Sequence, residues 1–309
     1  MSISPTPDPS PPLARARGGR GTEVLTQIAR AKINLTLRVT DRRADGYHEL
    51  ESLVVFADIA DTLTLEPAGH VSVAVTGPFA DVIGAASDNL IVKAFDRLAA
   101  LMPGLKGGRF NLDKHIPVAA GIGGGSADAA AALRLLARLN DLSFDDARIM
   151  TAALQTGADV PVCVGSRACV MTGIGERLTP PLDLPALPAV LVNPRVAVAT
   201  RDVFAALGRA GLPQHADRLG DVPRGFDGLI DYLHGHGNDL TDAAIACAPV
   251  VGEVLAALRA LPGVRLARMS GSGATCFAIF SSASEAEAAA RALAGRGWWV
   301  TPTILAAAP

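Results

Sequence analysis

The sequence predicts an α+β fold built in two parts, and three observations carry that expectation. Before about residue 115, apolar and polar residues alternate in several segments, the period of half-buried strands. A glycine-rich loop then runs into an Ala/Leu-rich stretch with helical spacing over 126–139. The end of the chain reads helix, strand, strand, helix, strand, which is half of a ferredoxin-like sandwich. The Pro-rich segment 180–188 is the expected boundary. It divides the chain into an extension over 1–22, a first domain over 23–180 and a second over 181–309.

Composition narrows the function classes. Half of the 309 residues are hydrophobic, which is ample for a buried core. A net charge of -2 provides no basic field, so no nucleic-acid partner is expected. No apolar run approaches the ~18 residues of a membrane span, so no membrane partner is expected. Cys163, Cys169, Cys247 and Cys276 form no C-x-x-C pair. Without a signal-peptide pattern they read as buried thiols in a reducing, cytoplasmic setting. A monomer or homodimer is expected.

In chain order, 1–22 is Pro/Ser-rich and then Arg/Gly-rich, without apolar periodicity, and is expected to be disordered. Asp8 and the closely spaced prolines argue against a targeting helix. Order is expected from about Ala29. Over 32–39, Ile33, Leu35, Leu37 and Val39 alternate toward the core, while Lys32 and Asn34 share the other face. Taken alone, that face is the solvated side of an edge strand. Asp45-Gly46-Tyr47-His48 is a turn. Its Tyr-His pair is either polar surface or a grip for a flat ring.

Strands are expected over 50–57, 62–65, 71–75 and 110–115, with a helix opened by Asp88-Asn89 and running to about 101. Ser143-Phe144-Asp145-Asp146 is expected to cap a helix that Gly157 ends. Asp159 follows in Gly157-Ala158-Asp159-Val160-Pro161, and by spacing alone it is a turn or cap residue. The apolar run 162–170 reads as a buried strand, broken by Gly173-Ile174-Gly175.

Beyond the boundary, a strand over 189–193 and a helix over 201–207 precede an irregular stretch to about 237. A helix over 240–261, broken at Pro249, leads to strands over 265–269 and 275–280. Ser270-Gly271-Ser272-Gly273-Ala274 joins those strands. A helix capped by Ser282 and Glu285 and a strand over 298–305 close the chain. His234 and His236 lack acidic or thiol neighbours that would make a metal site.

The central loop reads Pro117-Val118-Ala119-Ala120-Gly121-Ile122-Gly123-Gly124-Gly125-Ser126-Ala127. Glycines permit tight turns and close backbone approach, and a helix start offers free N–H groups to an anion, most often a phosphate. It is not a Walker A loop, which closes in Gly-Lys-Ser/Thr. Nor is it the dinucleotide fingerprint, because Ser126 stands at the third glycine position.

The order of these features resembles the GHMP kinases. Ala-Lys32-Ile-Asn34, Arg43-Ala44-Asp45-Gly46-Tyr47-His48, the glycine loop, Gly157-Ala158-Asp159-Val160-Pro161 and Ser270-Gly271-Ser272-Gly273-Ala274 follow the family's sequence of motifs, from about Ala29 to at least Phe280. The resemblance implies an N-terminal ribosomal-S5-like α/β sandwich and a C-terminal ferredoxin-like domain. It implies ATP and Mg²⁺ as cofactors. It also implies phosphorylation of the 2-hydroxyl of a cytidine-diphosphate-linked methylerythritol, in the non-mevalonate route to isoprenoid precursors. A homoserine or mevalonate-type kinase is the alternative, and the Tyr47-His48 turn disfavours it because those substrates carry no flat base.

By the same resemblance, Asp159 is the catalytic acid that accepts the hydroxyl proton, and Lys32 is its partner. Residues Pro117 to Ala127, Asn89 and Lys93 hold ATP. Asn34, Tyr47, His48, Thr200 and Phe204 line the substrate side, with Tyr47 stacking on cytosine and His48 hydrogen-bonding to it. Ser126 is the candidate metal contact. Ala119-Ala120 and Ala127 stand where some relatives carry glycines and a second serine. An ordinary carboxylate is too weak a base to strip an alcohol outright, but a loose phosphoryl-transfer transition state needs the proton removed only late.

Overall fold

The structure is a computed structural model and describes residues 16–17, 23–82, 89–118, 120–215 and 218–306. The 1–22 extension expected to be disordered lies outside the described residues except for strand β1 (Ala16–Arg17), which pairs with the start of the next strand.

The first half is a sheet covered by helices. Strand β2 (Glu23–Asn34) begins six residues before the expected start of order. It is followed by β3 (Arg38–Arg42), β4 (His48–Ala68) and β5 (Ser72–Thr76). The expected separate strands over 50–57 and 62–65 are one 21-residue strand. The polar interruption Asp58–Asp61 resembles a turn in sequence. Instead β4 continues through it, and Asp61 is fully buried with partners of its own.

Helix α1 (Leu90–Leu101), β6 (Gly107–Asp113), α2 (Gly124–Leu139) and α3 (Ala147–Thr156) follow. The cap of α3 is Asp146, whose side chain accepts from the Arg148 N–H, rather than the expected Ser143 box. Helix α2 is buried on nearly all sides, from Ala127 through Ala137. Its alanines let β2 and α1 approach closely.

The run 162–170 is not a strand. Residues Val160–Gly165 form helix α4, with Pro161 in its first turn, and only Cys169–Gly173 is extended, as β7. Proline fixes a helical φ and supplies no N–H, both favourable at a helix start. A short apolar run that is buried all round carries no period to distinguish the two outcomes.

Strand β8 (Arg177–Leu178) and β9 (Leu187–Asn193) lead into the second half. Then come α5 (Thr200–Ala210), α6 (Phe226–His234), α7 (Thr241–Cys247) and α8 (Val250–Arg259). Helix α6 lies in the stretch expected to be irregular, and its Leu229, Ile230 and Leu233 are buried. Pro249 does separate α7 from α8. Strands β10 (Leu266–Met269) and β11 (Cys276–Ile279), helix α9 (Ala283–Ala292) with its Ser282/Glu285 capping box, and β12 (Trp299–Leu305) complete the order.

The sheet runs β1-β2-β4-β12-β9-β11-β10. Leu305 of β12 pairs with Ala57, so β4 is the seam shared by the two halves. Hydrophobic clusters lie under α1–α4, under α5 and α7–α9, and between β4, β9 and α6. The cleft between the glycine loop, the 45–48 turn and α5 is left open. No helix among the described residues is long and apolar enough to cross a membrane.

Candidate active site

A cavity of about 990 Å³ opens in that cleft. Of the sequence-predicted residues it gathers Lys32, Asn34, Tyr47, His48, Ala120, Gly121, Gly123, Gly124, Gly125, Ser126, Asp159, Thr200 and Phe204 along one wall or another.

Lys32 and Asp159 meet 127 residues apart in sequence. Lys32 Nζ donates to Asp159 Oδ2 at 2.8 Å. The lysine side chain is 4% exposed and the aspartate 35%, so the carboxylate is the member that faces the cavity. Lys32 and Asn34 do share a face, but it is not solvated: the glycine loop roofs it, and the Lys32 N–H donates to Ile122 O at 2.9 Å. Asp159 does sit at the N-cap of α4, as its spacing suggests. Its side chain makes no capping bond there and turns to Lys32 instead.

The glycine loop earns its composition at three positions. Gly121 has φ +73°, and a Cβ there would lie 2.2 Å from Gly273 O. Gly123 adopts φ 65° as the N-cap of α2, where a Cβ would press the Lys32 side chain at 3.2 Å. A Cβ on Gly124 would come within 3.2 Å of Lys114 Nζ. Helix α2 therefore starts at Gly124, two residues before the expected Ser126. The N–H groups of its first turn have no intrahelical acceptor and point to the cavity end, where the helix dipole favours an anion.

Pro117, Ile122 and Ala127 are buried beneath this cradle and Val118 is exposed; none of the four lines the cavity, and Ala119 lies outside the described residues. Asn89 caps α1, accepting from the Ile91 N–H at 2.9 Å, and Lys93 is exposed on the same helix. Neither lines the cavity, although their neighbour Leu90 does.

Three buried charges support the loop from below. Lys114 Nζ donates to Asp61 Oδ2 at 2.5 Å and to Asp128 Oδ2 at 2.6 Å. Burial pushes the Asp128 carboxyl up to about 7, against the pull of the lysine. Burial works against the Lys114 ammonium, but the two carboxylates outweigh it and hold its pKa above the ordinary lysine value.

Across the cavity the Asp45–His48 turn, closed by Gly46 at φ 89°, presents Tyr47 with 57% of its surface exposed. His48 stacks on Phe204 of α5, with ring centroids 4.7 Å apart and planes at 22°. His48 Nε2 is buried without a hydrogen-bond partner, and so is Asn34 Oδ1. Burial, and then the nearby Arg42 charge, lower the His48 pKa. Thr200 and Ser272 hydroxyls are 2.9 Å apart.

Sequence reasoning missed several lining residues. Gly271 and Ser272 come from the 270–274 loop, which was visible as a small-residue turn but carried no role. That loop is tied to the glycine loop through the Thr275 N–H to Ala120 O bond at 3.1 Å. Arg42, Arg201 and Arg209 also line the cavity, and as isolated surface arginines they left no signal in the sequence.

A glycine loop at a helix start beside a buried lysine–carboxylate pair, on a mixed α+β scaffold, is the arrangement of a small-molecule kinase. Residues 89–167 match the GHMP kinases N terminal domain and residues 224–297 the GHMP kinases C terminal domain. The chain belongs to the GHMP kinase family and has its fold. It is 58% identical over 287 residues to the 4-diphosphocytidyl-2-C-methyl-D-erythritol kinase of Rhodopseudomonas palustris (strain BisB5), covering 89% of this chain and 97% of that protein. It is also 58% identical to the enzyme of the same name from Bradyrhizobium diazoefficiens, covering 89% and 96%. A crystal structure of 4-(cytidine 5'-diphospho)-2C-methyl-D-erythritol kinase superposes with a TM-score of 0.75 at 33% identity, covering 92% of this chain and all of that one.

Proposed function

We propose that this chain transfers the γ-phosphoryl group of ATP to the 2-hydroxyl of 4-diphosphocytidyl-2-C-methyl-D-erythritol. The observation that carries the proposal is the Lys32–Asp159 pair at 2.8 Å, set between a backbone phosphate cradle and a ring-binding wall in one cavity. The named relatives, similar over nearly their whole length, support the substrate.

Each residue then has a defined task. The N–H groups at the start of α2 hold the ATP phosphates against the loop. Asp159, facing the cavity, orients the acceptor hydroxyl and takes its proton as the O–P bond forms. Lys32 fixes that carboxylate and stabilises charge on the transferring phosphoryl group. Tyr47 and Phe204 grip the cytosine ring, His48 Nε2 bonds to its edge, and Asn34 Oδ1 accepts from a hydroxyl of the methylerythritol part. These assignments give His48 Nε2 and Asn34 Oδ1, the buried and unpartnered atoms of the cavity residues, a partner.

Mg²⁺, when bound, would supply positive charge that offsets the negative charge developing on the transferring phosphoryl group. Ser126, on the first turn of α2 and lining the cavity, fits it as a protein oxygen ligand. One hydroxyl can suffice as a protein ligand, because this ion keeps most of its waters.

A coupled assay with phosphorus NMR of the product tests the reading. ATP should be consumed with the cytidine-linked alcohol and produce a new phosphomonoester on it. Turnover of mevalonate or homoserine at a higher kcat/KM would sink the substrate assignment.

A further inference from the structure

We propose that Lys114 is a positioning residue for the phosphate cradle, clamping both ends of the glycine loop to β4 through Asp61 and Asp128. This inference rests on the reading of that loop as the ATP-phosphate site.

The geometry is specific to the loop. Asp61 lies in the middle of β4 and is fully buried. Its Oδ1 accepts from the backbone N–H groups of His115 and Ile116 at 2.6 and 2.8 Å, the last residues before the loop begins. Its Oδ2 accepts from Lys114 Nζ. The same ammonium reaches Asp128 in the first turns of α2, just after the loop ends. One buried cation therefore joins the entry and the exit of the loop to a single point on the central strand. A Cβ added to Gly124, the first residue of α2, would meet Ile116 Cγ2 at 3.0 Å and Lys114 Nζ at 3.2 Å, so the helix start packs closely on both.

A cradle made of backbone N–H groups works only if those groups stay aimed, since no side chain can compensate for a drift of the loop. Lys114, Asp61 and Asp128 do not line the cavity, so the cluster acts on the nucleotide through the loop. Asp128 Oδ1 is buried and unpartnered, which leaves Lys114 as the bond that keeps this carboxylate in place.

A contrast within α2 separates positioning from general stability. Arg134 is as deeply buried, and it donates to Ile28 O, Cys163 O and Gln27 Oε1, away from the loop. Replacing it should cost stability without favouring either substrate.

The experiment measures KM for ATP, KM for the cytidine-linked alcohol, kcat, Tm and the Kd of adenosine 5'-(β,γ-imido)triphosphate. It uses full-length wild type, Lys114→Met, Asp128→Asn and Arg134→Met. Lys114→Met should weaken nucleotide binding at least tenfold with the alcohol KM changed less than twofold. Asp128→Asn keeps the side-chain shape and should shift the same parameter several-fold. It decides the matter if Lys114→Met does not fold. Arg134→Met should lower Tm with the two KM values moving together. The clamp is overturned if folded Asp128→Asn binds the ATP analogue like wild type, or if its two KM values rise in parallel as in Arg134→Met. A wild type that binds the analogue but leaves the alcohol unphosphorylated would refute the substrate assignment, while the variants' dissociation constants would still decide the clamp. A wild type that binds no nucleotide would refute both.

Discussion

The two walls of the cavity are built on different principles. The glycine-loop wall is cross-braced: Lys32 is 4% exposed and held to Asp159, and Gly121 abuts Gly273. The ring wall is a short turn facing one helix, with Tyr47 57% exposed and His48 secured chiefly by its stack on Phe204. Chemistry needs fixed groups at the reacting atoms, whereas recognition of a flat ring tolerates side chains that settle around it. Damage to the first wall should therefore appear in kcat or in the KM for ATP, and damage to the second in the KM for the acceptor alone.

The sharpest test is at Asp159. Asp159→Asn removes the proton acceptor and keeps the shape, and kcat should fall by about 10²- to 10⁴-fold with much smaller changes in either KM. Lys32→Met should lose a comparable factor. It should also lose stability, because the strand face beneath the loop is built around that side chain. Steady-state kinetics on folded protein check both. Near-normal turnover of Asp159→Asn would remove the carboxylate from the mechanism.

Gly121→Ala probes the bracing. The added Cβ would stand 2.2 Å from Gly273 O at φ +73°, so the glycine loop or the 270–274 loop must shift. The KM for ATP should rise by about tenfold or more, the effect of losing roughly 1.4 kcal/mol of binding. Gly69→Ala, where nothing lies within 4 Å, should leave both substrates unaffected. If Gly121→Ala were equally silent, the glycine-loop wall would not be cross-braced.

On the other wall, Phe204→Ala removes the partner of His48 and one face of the proposed ring site. Alanine replacement of a stacking aromatic costs about 1–3 kcal/mol per base, so the KM for the cytidine-linked alcohol should rise about tenfold. The KM for ATP and kcat should stay near wild type. A fall in kcat instead would mean that the two walls are coupled.

The same contrast explains what was legible in the sequence. The glycine loop could be recognised because its requirements are local: positive φ and missing Cβ atoms must be met residue by residue. Strand alternation set the direction of Lys32 but read its face as solvated, and its role came with the family resemblance. The role of Asp159 was not legible either, since its position reads equally as a cap and its partner lies 127 residues away. Only the family resemblance singled it out. Gly271 was unreadable for a related reason, because what demands a glycine there is the backbone of Gly121 in the other half of the chain. Asn89 and Lys93 came with the resemblance, and here they lie on α1 outside the cavity, with Asn89 capping the helix. The fold was misread at α4, buried all round, and at Asp58–Asp61, where polar residues serve the interior of a continuous strand; α6 was read as irregular, and the alternation over 32–39 hid the break between β2 and β3.

The smallest expected effect concerns the pH dependence of acceptor binding, and it probes His48, which stands on the turn opposite the glycine loop. Burial, reinforced by Arg42, holds the His48 pKa below the ordinary histidine value of 6.5. The neutral imidazole is thus favoured in the folded protein. The corresponding stability is fully present above 6.5 and is lost as pH falls through the lowered value. The KM for the cytidine-linked alcohol should then be flat from pH 8 to 6.5 and rise a few-fold only below that range. Arg42→Gln removes one of the two causes, so the rise should begin at higher pH, and NMR titration of the His48 ring should move with it. A KM profile unchanged by Arg42→Gln, with the ring titration displaced, would show that the charge of His48 does not matter to the substrate and that its contribution is the stack on Phe204 alone.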